Sequence, residues 1–216
     1  MPDGPTPPET VEPRGWQLYR AGRYAEALTV FDSALATEQE DYSALLGRGR
    51  CHRLLGAHDE AIADFTRAHD VRPEAARPLF ERGAIWILLG CYERSRADYE
   101  AGAALDPTYP GSASYFAELH LYAGRADEAL AISERAACDE PTNLVHRVNI
   151  AHAHLLLGDT GRAADAYDAI ADQLDPGKGI TGAALALEDL ALMRSAGIDP
   201  PGMRSVERRL RKPTRM

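Results

Sequence analysis

The stretch LLGAHDEAIADFTRAHDVRP, residues 54–73, decides how this chain is read. It offers His-Asp-Glu and then His-Asp, a pairing that invites a metal or acid-base reading. It also places Gly56, Ala61, Phe65, Ala68 and Pro73 at intervals that return elsewhere. Gly22, Gly56, Gly90, Gly124 and Gly158 fall 34 residues apart without a slip. A strict period of this length means one supersecondary unit repeated, and it outranks any local motif.

With this Gly as the fifteenth residue of each unit, five units result: 8–41, 42–75, 76–109, 110–143 and 144–177. Small residues recur at the eighth place (Gly15, Gly49, Gly83, Ala117, Ala151) and the twentieth (Ala27, Ala61, Ser95, Ala129, Ala163). The twenty-fourth place holds Phe31, Phe65, Tyr99, Ser133 and Tyr167. Pro73, Pro107 and Pro141 share the slot near the end. Each slot has a cause. Gly permits a positive φ after a first helix. Small residues at places eight and twenty let two antiparallel helices approach, and a ring fills the gap to the next unit. Pro stops the second helix, which in the opening stretch spans 58–71.

This pattern resembles the tetratricopeptide repeat family over residues 8–177. The resemblance implies an all-α, right-handed α-solenoid of about five helix-turn-helix units. After unit five the register breaks: the next turn-like Gly, Gly197, comes 39 residues after Gly158, and DQLDPGKGITG reads as an inserted loop. Residues 178–212 then supply a partial sixth unit and a capping helix, as a solenoid end requires. Residues 1–7 read as disordered and residues 213–216 as a basic tail.

Composition narrows the function. The 216 residues are 45% hydrophobic and 26% charged, with a formal charge of -9. The last fourteen, MRSVERRLRKPTRM, hold six basic groups and one acid, a net of +5, which leaves -14 for the rest. That argues against a general nucleic-acid binder. Arg greatly outnumbers Lys, whose two instances are Lys178 and Lys212, a bias common in high-GC bacteria. Cys51, Cys91 and Cys138 are scattered and suggest neither a disulfide framework nor a zinc knuckle. With no membrane-spanning run, the expectation is a cytoplasmic protein.

The chemistry-like clusters read as structure. His58 and His69 share a helix face but stand about 16 Å apart along the axis, too far for one ion. His52, His120 and His154 occupy the eleventh place and read as packing residues. Arg14, Arg48 and Arg82 share the seventh place, where their stems cover apolar surface and their guanidinium groups stay wet. No hydrolase, zincin, phosphate-loop or dinucleotide motif occurs, so the reading is non-catalytic, with no metal and no cofactor.

The resemblance further implies that first helices line a concave groove through places 2, 5, 6, 9, 12 and 13. In unit one these are Trp16, Tyr19 and Arg20; in unit two, Leu46, Arg50 and Arg53; in unit three, Arg77, Phe80, Glu81 and Ile87; in unit four, Tyr115, Glu118 and Tyr122; in unit five, Asn149 and His152. Arg50 and Arg53 lie on one helix face, and with Arg77 they are expected to grip carboxylates. Places that hold acidic chaperone tails in some relatives are here Glu12, Trp16, Gly47, Arg77 and Glu81, which do not reproduce that clamp. The expected function is a protein- or peptide-binding adaptor whose partner carries acidic and apolar groups, with homo-oligomers possible. Two alternatives stand beside it: a regulatory subunit gating a separately encoded enzyme or transcription factor, and attachment to nucleic acid or membrane through the basic helix bearing Arg204, Arg208, Arg209, Arg211 and Lys212. In that helix Met203, Val206 and Leu210 form an apolar stripe suited to docking on the cap.

Overall fold

The computed structural model describes residues 14–175 and 180–211. The N-terminal segment 1–7, Lys212 and the tail 213–216 lie outside the described residues. Among these, every helix or strand of length is a helix: α1 (Arg14–Arg20), α2 (Tyr24–Thr37), α3 (Tyr42–Leu54), α4 (His58–Val71), α5 (Arg77–Leu88), α6 (Tyr92–Leu105), α7 (Ser112–Tyr122), α8 (Ala126–Asp139), α9 (Leu144–Leu156), α10 (Thr160–Ile170), α11 (Gly182–Ser195) and α12 (Met203–Leu210). The fold is an all-α solenoid of helix pairs.

The 34-residue period appears as helix ends. Each first helix stops two residues before its Gly, at Arg20, Leu54, Leu88, Tyr122 and Leu156, and each second helix starts two residues after it. The Gly residues sit at φ between 70° and 80°, left-handed backbone that a side chain would strain. This closes the helix: the N–H after each Gly donates back to the carbonyl at the eleventh place, as from Ala57 to His52 at 2.9 Å and from Cys91 to Trp86 at 2.8 Å. Second helices end at Val71, Leu105 and Asp139, two residues ahead of Pro73, Pro107 and Pro141.

Residues through Glu81 form one compact unit and residues from Arg82 a second. In the first, α2 packs against α1 and α3, and α3 against α4. The ring at place twenty-four lies on the Gly at place eight of its own helix pair. A Cβ on Gly49 would stand 2.8 Å from the Phe65 ring, and one on Gly15 2.6 Å from Phe31. Phe31 also reaches the next first helix, where a Cβ on Gly47 would be 2.2 Å away. The twentieth residue, Ala27 or Ala61, is fully buried. So the room at place eight is occupied by a ring, whose burial contributes roughly 1.5–3 kcal/mol each.

The seventh-place arginines differ from expectation. Arg48 closes a two-toothed fork on Asp64 and also donates to Asp32 at 2.9 Å. Arg82 makes the same fork on Asp98, with Nε–Oδ2 of 2.8 Å and Nη2–Oδ1 of 2.6 Å. Both aspartates are buried. Their guanidinium groups are therefore held inside a helix pair by an acid at place twenty-three. Arg14, whose unit has Val30 at that place, is exposed.

In the second unit Tyr99 is fully buried. It lies over Gly83 and meets Tyr115 and Phe116 of α7 at ring-centroid distances of 5.4 and 5.7 Å. Past α10, Leu174 and Thr181 pair in an isolated antiparallel bridge. Thr181 caps α11 by accepting from Ala184 N–H at 3.2 Å, and Gly182 lies so close to Ile170 that a Cβ would be 2.2 Å from its carbonyl oxygen. The terminal helix docks as its stripe requires: Met203, Val206 and Leu210 are buried. Arg194 of α11 bonds Glu207 at 2.8 Å, and Arg209 bonds Asp168 of α10 through Nε at 2.6 Å.

Candidate partner-binding faces

In the first unit the face nominated by the sequence starts on α1. Trp16 and Tyr19 are half-buried, their rings meet edge to face at 5.6 Å, and Trp16 donates from Nε1 to Ser43 Oγ of α3 at 2.9 Å. Arg20 is exposed, as is Arg77 at the start of α5. Leu46 and Phe80 are buried and pack rather than line the face.

Arg50 and Arg53 do come together, but around a carboxylate of this chain. Glu81, buried in α5, accepts from Arg50 Nε at 2.7 Å and again from its Nη2. Arg53 Nε lies 3.8 Å from the other Glu81 oxygen. The Arg50 guanidinium also stands 5.7 Å from the Trp16 ring centroid. Two expectations are corrected here: Glu81 is an internal ligand, and Arg50 already has its carboxylate. The physical reason is that place nine of one first helix abuts place six of the next, so a long base and acid at those places meet. Burial pushes the Tyr19 phenol up, opposed by the nearby Arg50 and Arg53.

In the second unit the nominated residues divide. Ile87, Tyr122, Asn149 and His152 are buried, spent on packing rather than lining a face. Tyr115 and Glu118 remain partly exposed. His152 donates from Nδ1 to the Val148 carbonyl at 2.7 Å, and burial pushes its imidazole down to about 4. Arg204 and Arg208 on α12 and Arg211 just after it are exposed, as is Arg209, which also bonds Asp168.

The sequence reading missed a buried polar cluster. His146 is 1% exposed, with Nδ1 3.0 Å from Ser114 Oγ and Nε2 3.2 Å from Asn143 Nδ2 and 3.3 Å from Glu140 Oε2. Asn143 caps α9 through Val145 N–H and holds Glu140 at 2.8 Å, which, with His146, keeps that carboxyl low. It pins α7, α9 and the turn before α9 together. His146 sits at the third place, which no repeat slot singles out, so periodicity carried no signal for it.

Comparison with known proteins agrees with this architecture. Residues 13–70 match the family model described as tetratricopeptide repeat. No curated protein matches the chain. Among solved structures, a tetratricopeptide repeat protein from Parabacteroides merdae is 19% identical with a TM-score of 0.68, over 92% of this chain and 82% of the other. A thermophilic tetratricopeptide repeat protein of Thermus thermophilus is 24% identical with a TM-score of 0.65, over 85% and 94%. PilW, a widely conserved type IV pilus biogenesis factor, is 20% identical with a TM-score of 0.63, over 91% and 86%. The repeat register, the family match over residues 13–70 and the likeness to these structures show that this chain has the tetratricopeptide repeat fold.

Proposed function

We propose that this protein-interaction scaffold is a peptide-binding adaptor, and that the face of the first unit built on α1, α3 and α5 receives a partner segment carrying an acidic group beside an apolar one. One observation carries the reading: Arg50 and Arg53 converge on Glu81 beside the Trp16 ring, so this face has the geometry and charge to hold a carboxylate against an aromatic. Arg20 and Arg77, both exposed, extend the positive charge outward. A cytoplasmic setting is part of the proposal, supported by three free cysteines. Among the described residues no helix is long and apolar enough to cross a membrane.

The test is a fluorescence-anisotropy titration with a labelled peptide ending in Leu-Glu-Glu and a free C-terminus. Wild type should bind it, and Arg20→Glu with Arg77→Glu should weaken binding by at least tenfold without changing the melting temperature by more than a few degrees. Equal binding by the charge-reversed variant would remove the assignment of this face.

A further inference from the structure

Ser114, His146 and Glu140 of the second unit form a relay across one ring. Ser114 Oγ lies 3.0 Å from His146 Nδ1, and Glu140 Oε2 lies 3.3 Å from Nε2 on the other side of the imidazole. Glu140 also accepts from Asn143 Nδ2 at 2.8 Å, and these two bonds hold its carboxyl low and therefore ionised. Asn143 Nδ2 stands 3.2 Å from Nε2, but its shorter bond is to that same Glu140 oxygen. A carboxylate only accepts, so Nε2 carries the ring proton and gives it to Glu140. Nδ1 keeps its lone pair, and the Ser114 hydroxyl donates to it.

The relay has a sealed middle and an open end. His146 is 1% exposed, whereas Ser114 is partly exposed in the first turn of α7. That turn also supplies a donor. Ser112 and Ser114 N–H bond to the carbonyls of Tyr109 and Gly111 at 3.1 and 2.9 Å, whereas among the described residues Ala113 N–H has no backbone acceptor. Helical side chains lean toward the N-terminus, so Ser114 Oγ and the Ala113 N–H share one end of α7. Tyr109, in the turn before α7, and Tyr115 set partly exposed rings 6.4 Å apart at the same end.

We propose that Ser114 is the nucleophile of an acyl-transfer site that takes the acyl group of an activated carboxylic ester with an aryl leaving group. A nucleophile, a base, a carboxylate that orients the base, and an N–H for the developing oxyanion are the parts this chemistry needs. One N–H stabilises an oxyanion less than the usual pair does, which restricts the site to activated esters, and the tyrosine rings favour an aryl group. Ser114 Oγ bonds to the carbonyl carbon as its proton passes to Nδ1, and Glu140 holds the imidazolium through Nε2. Collapse of the adduct breaks the carbon–oxygen bond to the leaving group, which takes the proton from Nδ1 and departs as the phenol. Water then repeats the sequence, releasing the carboxylic acid and restoring Ser114. The imidazole is turned end for end relative to the common serine-hydrolase triad; either nitrogen serves as base once the other donates to a carboxylate. Ser114 and His146 are the catalytic residues and Glu140 is a positioning residue. This activity goes beyond peptide binding by the first unit and does not depend on it.

The experiment uses the full chain and p-nitrophenyl acetate, with nitrophenolate release followed by absorbance and the acetylated residue located by mass spectrometry. Wild type should carry an acetyl group on Ser114. Ser114→Ala should lose it, and both this variant and His146→Gln should release nitrophenolate about a hundredfold more slowly. Ser112→Ala, in the same turn, should stay within about twofold of wild type, since a neighbouring hydroxyl takes no part in the proton transfer. Glu140→Gln should lower the acylation rate at saturation about tenfold while leaving the half-saturating ester concentration unchanged, because an orienting group acts on the transition state and not on ester binding. Should His146→Gln lose helical content, acetyl mapping on wild type and the Ser114→Ala variant carry the test. Acetyl groups found only on other residues, a Ser114→Ala variant as fast as wild type, or a Glu140→Gln variant in which both constants move together would overturn the proposal.

Discussion

Arg48 grips Asp64 with Nε–Oδ2 of 2.9 Å and Nη2–Oδ1 of 2.6 Å, joining the first helix of a pair to its second through a carboxylate that is 3% exposed. The same two places hold Arg82 and Asp98 in the third repeat, Phe116 and Ile132 in the fourth, and Ile150 and Ala166 in the fifth. A matched polar pair or a matched apolar pair serves, and the chain contains both solutions.

Breaking the pair on one side should cost far more than replacing it. Asp64→Ile leaves the Arg48 guanidinium with only the exposed Asp32, and should destabilise by about 2–4 kcal/mol. Arg48→Phe combined with Asp64→Ile, copying the fourth repeat, should recover at least half of that loss. Urea denaturation of the two single variants and the double variant gives the coupling. Additive losses would mean that the places are not coupled.

The close approach of rings to glycine makes a second expectation. Gly47→Ala puts a methyl carbon 2.2–2.7 Å from three Phe31 ring atoms. Overpacking of this kind costs about 1–3 kcal/mol, seen as a lowered melting temperature. Phe31→Leu alone should also destabilise, by leaving a gap. Together the two should be less damaging than their sum.

How much of this could be read from residues follows from what each signal constrains. The turn glycines were legible because a positive φ is a backbone demand that few residues meet, and the period repeats it. Phe31, Phe65 and Tyr99 were legible as fillers, although their contact with the eighth-place Gly required coordinates. The Arg48–Asp64 fork could have been found by comparing places seven and twenty-three in the second to fifth repeats, where base stands with acid and apolar with apolar, although Arg14 and Val30 of the first break the rule. Face residues were less legible. A repeat place says which side of a helix a residue occupies, but not whether the next helix covers it, and so Leu46, Phe80, Ile87, Asn149 and His152 proved buried. Nor does a place reveal that a base has a native partner, as Arg50 has in Glu81, 31 residues on.

That partner leads to an opposite pair of effects from one change. Glu81→Gln removes the charge that occupies Arg50 and Arg53 while keeping the side-chain shape. Stability should fall by about 2–3 kcal/mol, because a half-buried guanidinium loses its counter-charge. Affinity for the Leu-Glu-Glu peptide should rise severalfold, because an incoming carboxylate then meets unmatched bases. Anisotropy and thermal unfolding on one preparation check both; a variant that loses stability without gaining affinity would show that Glu81 does not compete with a ligand.

His152 should dominate the acid limb of stability. Burial holds its imidazole at about 4 in the folded protein, against roughly 6.5 in the unfolded chain. Between these values the unfolded chain takes up a proton that the folded chain refuses. Stability from this group is therefore full above the unfolded value, declines as pH falls toward 4, and is level below it. The total loss is on the order of 3 kcal/mol. His152→Phe keeps an aromatic against Tyr167 and removes the titration, so its stability should fall less between pH 7 and pH 4.5 than that of wild type. Parallel pH curves from chemical denaturation would assign the acid limb elsewhere.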